Sequence, residues 1–278
     1  MENTNQTQEV SVKTKAIAKW AIAVSTISLL FTAYATIRPF DKENFSVEGA
    51  KELRISEHWG QLYFYHYFVI KNDGEKQGAI TSIDALIVPL EGQKYEKYLS
   101  AQSYGIGSDS YPIVNISFNP NNICESYFVL SDELGRERRE GVTKWSIRRN
   151  NEIEAIEKES DWDYRPKELG YSVYSSLQNF IQEGFKDFTI GKYQYIIAFT
   201  KNYESKPFYF KCYDFVIHQT DLQILNNGIK NYGIGGFLTT LNLTPHDCQT
   251  TVKLTLNEDK ELRGSLLNKL LACKSKPK

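Results

Sequence analysis

Four histidines and four cysteines have the widest chemical range in this chain: His58, His66, His218 and His246, with Cys124, Cys212, Cys248 and Cys273. Two histidines one helical turn apart, or a C-x-x-C pair, would hold zinc; neither spacing occurs. No G-x-S-x-G presents a nucleophilic serine. His246-Asp247-Cys248 is the one compact cluster of metal-capable types, and a Cys–His pair is also how a thiol nucleophile meets its base. It follows Thr244-Pro245, a turn, and nothing nearby completes a site, so it reads as a loop. His66 stands mid-run among aromatics and is expected as a buried, hydrogen-bonded histidine rather than a ligand.

Gly233-Ile234-Gly235-Gly236 has the glycines of a phosphate-cradling loop but lacks the Lys-Ser/Thr that follows one. Tyr104-Gly105-Ile106-Gly107 repeats part of it, and turns before strands account for both. Glu157, Glu159, Asp161 and Asp163 could attract Ca²⁺, yet they miss the alternating Asp/Asn-Gly grammar of a calcium loop. Asn44, Asn115 and Asn242 begin N-x-S/T triplets, which are glycosylation acceptors only in a eukaryotic secretory host. No catalytic, cofactor-binding or metal-ligating residue is assigned, and no cofactor is expected.

The elements around these residues begin with an apolar span. Residues 16–38 contain AIAKWAIAVSTISLLFTAYATI, charged only at Lys19 before Arg38 closes it. The uninterrupted part, Trp20 to Ile37, is just long enough for a hydrocarbon core, and Lys19 can snorkel to the interface. Trp20 and Tyr34 suit the headgroup belts. Ser25, Thr26, Ser28 and Thr32 interrupt the run, but each can bond back to its own helix. A cleaved signal peptide is the competing reading, with Ala33-Tyr34-Ala35 as its cut site. The apolar run continues past that cut, which favours an uncleaved transmembrane signal-anchor after a polar tail over residues 1–15. Lys13, Lys15 and Lys19 outnumber Arg38 and Lys42, placing the N-terminus in the cytoplasm. The C-terminal region is then expected outside a plasma or bacterial inner membrane, where four cysteines would permit two disulfides.

Beyond the span the pattern turns to strands. The chain has 18 Tyr and 15 Phe, residues that favour pleated, half-buried surfaces. Leu62–Ile70 reads as a strand buried on both faces, then Asn72-Asp73-Gly74 turns into a strand over Ala79–Pro89. Ile113–Phe118, Ser126–Leu130, Tyr193–Thr200, Phe208–His218, Thr239–Leu243 and Thr250–Leu256 are further strands. An offset near 130 lays Tyr63 on Tyr193, Tyr65 on Tyr195 and Lys71-Asn72 on Lys201-Asn202, which suggests a duplication. The expected fold is therefore mainly β: two tandem immunoglobulin-like sandwiches over residues 42–133 and 173–263. A charged connector over 134–172 would separate them, with a short helix at Glu152–Glu159. Leu262, Leu266 and Leu270 share one face of a C-terminal helix, whose end and basic tail occupy 264–278.

Tyr67–Val88 (YFVIKNDGEKQGAITSIDALIV) resembles the strand–N-x-G–strand segment of bacterial membrane-anchored β-sandwich proteins of immunoglobulin-like type. Phe188–Tyr193 is similar to the G-x-Y entry of a late sandwich strand. The resemblance implies an anchored interaction protein, brings no catalytic residues, and also allows one sandwich with a charged insertion. The formal net charge of -1 argues against a nucleic-acid partner, which needs a basic excess. The expected partners are the bilayer, through residues 16–38, and another protein. The expected role is a non-enzymatic interaction, scaffold or sensing module; the alternative is an envelope hydrolase with a dispersed site tested first at His246, Asp247 and Cys248.

Overall fold

The computed structural model describes residues 19–34, 43–106, 109–112, 115–159, 171–231 and 249–275. Residues 19–34 are helical (α1). The remaining elements are β1 (Phe45–His58), β2 (Gln61–Asn72), β3 (Gly78–Pro89), β4 (Lys97–Ile106), β5 (Asp109–Pro112), β6 (Ile116–Phe118), β7 (Ile123–Ser131), α2 (Arg136–Glu159), α3 (Tyr171–Phe185), β8 (Gly191–Lys201), β9 (Tyr209–Ile217), α4 (Gln219–Asn231), β10 (Gln249–Lys253), β11 (Thr255–Leu256) and α5 (Lys260–Lys274).

The fold is mainly β with a short C-terminal helix. Its described strands form one sheet, ordered β10-β1-β2-β7-β4-β3-β8-β9-β11, with β5 on β4 and β6 on β3. The two ends of that order are nearly one strand, since only Leu254 separates β10 from β11. β10 pairs antiparallel with β1 (Leu53↔Val252), while β11 pairs antiparallel with β9 (Thr255↔Asp214). Between them, the Leu254 N–H donates to the Lys51 carbonyl at 2.8 Å. One short run thus joins both edges, and the sheet is nearly closed. Closure leaves few edge groups to solvent.

This pairing differs from two tandem sandwiches. β3, from the span 42–133, pairs with β8, from the span 173–263 (Ile87↔Tyr195, Leu86↔Ile196). The duplication fails on the facing of side chains: Tyr193 and Tyr195 are buried, whereas Tyr63 and Tyr65 are half-exposed. Asn72 is buried, while Asn202 is exposed at φ 48°. The expected connector is largely the 24-residue helix α2. β2 buries one face only: Leu62, Phe64, His66, Phe68 and Ile70 are buried, and Tyr63, Tyr65, Tyr67 and Val69 are half-exposed. Tyrosine suits that outer row because its ring packs while its hydroxyl reaches water. The strand buried on both faces is β8, through Tyr193 to Thr200.

α5 explains the second buried face of β8. Leu266 and Leu270 pack into a cluster with Leu86, Ile196, Ala198 and Cys212, with Leu262 and Leu267 beside them. Asp259 starts the helix by accepting from the Glu261 and Leu262 N–H groups, the usual way to satisfy orphan donors of a first turn. At the other end, the Lys274 ammonium donates to Asp84 Oδ2 and Ser82 Oγ, both at 2.7 Å. Asp84 is buried and also accepts from the Tyr98 hydroxyl at 2.6 Å. A Lys274→Met variant keeps the stem but removes the charge opposite a buried carboxylate. It is expected to lose about 1–2 kcal/mol, the lysine being partly screened by solvent. Urea unfolding checks this; an unchanged midpoint would make the ion pair incidental.

The chain divides into two compact units. One comprises Met1–Ser46, Lys71–Gly78 and Phe118–Asn122; the other comprises Val47–Ile70, Ala79–Ser117 and Ile123–Lys278. Within the first, the buried side chain of Asn72 ties three segments together. Its Oδ1 accepts from the Asn44 and Gly74 N–H groups at 3.2 and 3.1 Å. Its Nδ2 donates to the Lys76 and Phe118 carbonyls at 2.8 and 3.3 Å. The N-D-G turn therefore does more than reverse the chain: its asparagine staples the surrounding loops.

Candidate functional site

β2 carries His66 on the buried face of the sheet, where its ring lies between Phe68, Tyr195 and Tyr213. Nε2 sits 2.9 Å from the Ala50 carbonyl and Nδ1 3.2 Å from the Tyr195 hydroxyl. A carbonyl only accepts, so Nε2 carries the hydrogen and Nδ1 is left to accept from Tyr195. Burial holds the imidazole pKa down at about 4. The ring is thus neutral, satisfied at both nitrogens and shut from solvent, which suits it to packing rather than to proton transfer with a substrate.

The other sequence candidates are dispersed. Cys124, Cys212 and Cys273 are free thiols, not the disulfides that an even cysteine count allows. Burial pushes the Cys212 thiol up to about 11, making it a poor nucleophile near neutral pH. His246, Asp247, Cys248, Asn242 and Gly233–Gly236 lie outside the described residues, as do Thr239–Leu243, Asp161 and Asp163. Gly105 and Ile106 end β4. Among the described residues, no group of three His, Cys, Asp or Glu side chains could hold a metal ion.

Where the sheet closes, a cleft of about 450 Å³ opens, lined by Lys192, Asp214, Val216, His218, Asp221 and Lys253. Its carboxylates serve the fold. Asp221 accepts from the His218 N–H at 2.8 Å, capping α4, and from the Thr250 hydroxyl. Asp214 accepts from the Asn257 amide at 2.9 Å, and Lys192 pairs with Glu91 at 3.1 Å.

The junction of β1, β2, α2 and α3 holds a titratable pair that sequence reading missed. Trp59 and Gly60 have positive φ (54° and 78°), the two-residue type I′ geometry that matches hairpin twist. The turn folds back so that the Gly60 N–H donates to Glu57 Oε1. Arg138 of α2 reaches across, donating from Nη2 to the Trp59 carbonyl at 3.1 Å and from Nη1 to the Phe180 carbonyl at 2.6 Å. Its guanidinium lies over the Phe180 ring, 3.7 Å from the centroid. Burial pushes the Glu57 carboxyl up to about 7, against the lowering influence of the Gly60 N–H and Arg138. Nothing local in the sequence announces the pair, because Glu57 and Arg138 meet only through tertiary packing.

α1 is the remaining feature. Its apolar side chains are exposed on every side, with Trp20 and Phe31 each at 71%. Ser25 and Thr26 donate back to the Ile22 carbonyl, and Thr32 donates to the Ser28 carbonyl. Residues 16–18 and 35–38 of the expected span lie outside the described residues. Among the described residues, no helix is long and apolar enough to cross a membrane; the sixteen helical residues of α1 rise about 24 Å against a hydrocarbon core of about 30 Å. No family model matches the chain, and no curated protein matches it.

Proposed function

We propose that this is a single-pass membrane-anchored protein whose sheet domain is a non-enzymatic interaction, scaffold or sensing module. The anchor is the span 16–38, with the N-terminus cytoplasmic and the C-terminal region periplasmic or extracellular. One observation carries the reading: α1 exposes apolar side chains all round. A helix of a soluble domain shows an apolar stripe with polar residues opposite. The hydroxyls within α1 bond their own helix, as a lipid-exposed helix needs, because hydrocarbon offers no other partner. The likeness of Tyr67–Val88 to membrane-anchored immunoglobulin-like proteins supports the same class of role, and the partner in this reading is another protein.

The test is membrane extraction. The full chain is expected to stay in the pellet after an alkaline carbonate wash and to leave it only with detergent. Placing two lysines in the middle of the span (Leu29→Lys with Leu30→Lys) costs roughly 5–7 kcal/mol of insertion free energy, and the variant is expected in the supernatant. Release of the parent chain by carbonate alone would refute the anchor.

A further inference from the structure

We propose that Glu57 and Arg138 form a pH-dependent latch that holds the α2–α3 helix pair on the β1–β2 turn, closed in acid and loosened in alkali. The latch stands on its own geometry, whether or not the chain is anchored in a membrane.

The docking is close enough to be all-or-none. A Cβ placed on Gly184 of α3 would lie 2.0 Å from the Gly60 carbonyl oxygen, and one on Gly60 would meet the Ile181 carbonyl at 2.6 Å. Backbone thus rests on backbone, and a small displacement cannot be absorbed by side-chain motion. Arg138 threads this contact, bonding one carbonyl of the turn and one of α3. Phe180 completes the helix pair against Trp145 and leaves no room for a side chain at Gly141. Inside the junction the bonding is incomplete: Glu57 Oε2 and Arg138 Nε are buried without a hydrogen-bond partner. An ionised carboxylate there keeps one oxygen unsolvated, whereas the protonated acid does not carry that penalty.

Other charged or titratable groups face the pair from each neighbouring element. Glu183 of α3 bears on Arg138, and Asp132 after β7 bears with Glu57 on Tyr63 of β2. Lys97 of β4 holds Asp132 at 3.0 Å, and Lys186 holds Glu183 at 2.6 Å. His58 follows Glu57 but is exposed on the other face; partial desolvation lowers its pKa, so its own titration runs in the opposite sense. Glu57 is the buried carboxyl of the set.

The sign follows from linkage. Closed, the Glu57 carboxyl titrates at about 7; wetted by opening, it returns to its ordinary value of 4.5. The closed state therefore binds the proton more tightly. Its advantage is full below the wetted pKa and is lost as pH rises through the closed one. Between pH 5 and pH 8 the opening equilibrium is expected to rise roughly 70-fold.

Amide hydrogen exchange on the full chain, corrected for intrinsic rates, measures that equilibrium in the turn 57–61 and in α3. The parent is expected to show the rise, and Glu57→Gln, which keeps the acceptor for the Gly60 N–H, is expected to show at most the weak reverse slope of His58. Should that variant misfold, the Glu57 carboxyl carbon followed by NMR in the parent gives an independent reading, with a midpoint near 7. Equal protection at pH 5 and pH 8, a Glu57→Gln variant with the parental slope, or a midpoint near 4.5 would each overturn the latch.

Discussion

Asn72→Ala is expected to cost the fold about 3–5 kcal/mol, because it removes a buried amide on which several backbone groups depend. The amide uses all four of its hydrogen-bonding positions, two as acceptor and two as donor, while fully buried. A net gain of about 1 kcal/mol per bond understates the loss, because truncation leaves buried backbone groups unpaired. The Phe118 carbonyl, the Lys76 carbonyl and the Asn44 N–H would have to find water or move. Asn72→Asp sharpens the test. It keeps the two acceptor contacts but replaces both donors with an acceptor, so it should be nearly as damaging as alanine. Both are read from urea unfolding midpoints. A loss below about 1 kcal/mol for alanine would mean that backbone bonds alone hold these loops, such as those between Asn72 and Asn121 or Asn122.

The second large effect depends on pH. His66 titrates at about 4 in the fold against 6.5 for a free imidazole. A group with a lowered folded pKa contributes stability that is present above its unfolded pKa and lost as pH falls through the folded one. For His66 the window runs from about 6.5 down to 4, and a change of about 2.5 pH units is worth roughly 3 kcal/mol. His66→Phe keeps a planar ring but leaves the Ala50 carbonyl and the Tyr195 hydroxyl without that partner. The variant should be about 2–3 kcal/mol less stable than the parent at pH 7, by loss of two buried bonds. Near pH 4 the difference should close, because the parent has lost what the variant never had. Glu57 works in the opposite direction across nearly the same window. Stability of the parent is therefore expected to change little between pH 7 and pH 4.5, with the two opposed contributions exposed only in the single variants. A constant gap between parent and His66→Phe across that range would contradict the assignment of a neutral, buried ring.

Much of this architecture was legible where a short segment carries its own pattern. The strand–turn–strand around Asn72, the strands β8 and β9, and α5 with Leu266 and Leu270 buried all follow from alternation, turn residues and a four-residue apolar spacing. α3 had the same kind of signal: Val173, Leu177, Ile181 and Phe185 are each four apart and all buried. It was hidden because the segment lies where a second sandwich was expected to begin. α2 lacks such a stripe; it is held by Arg138 and by contacts to Phe180 rather than by a continuous apolar face. β1 reads as polar because many of its side chains stay exposed. Closure of the sheet was not legible at all. Whether Val252 pairs with Leu53 is decided by long-range packing, and no local pattern encodes it. The Glu57–Arg138 pair was missed for the same reason, although a glycine after Trp59 could have marked the turn that brings them together.

The central claim is that the chain is anchored once, with its sheet domain outside. Its most direct measurement is cysteine accessibility in intact cells, after the native cysteines are replaced by serine. One probe is Tyr203→Cys, at a position 79% exposed on the β8–β9 turn; the other is Asn5→Cys, in the polar tail. A membrane-impermeant maleimide is expected to label position 203 in intact cells and position 5 only after lysis. Labelling of position 203 only after lysis, or recovery of the protein in the soluble fraction, would contradict the account.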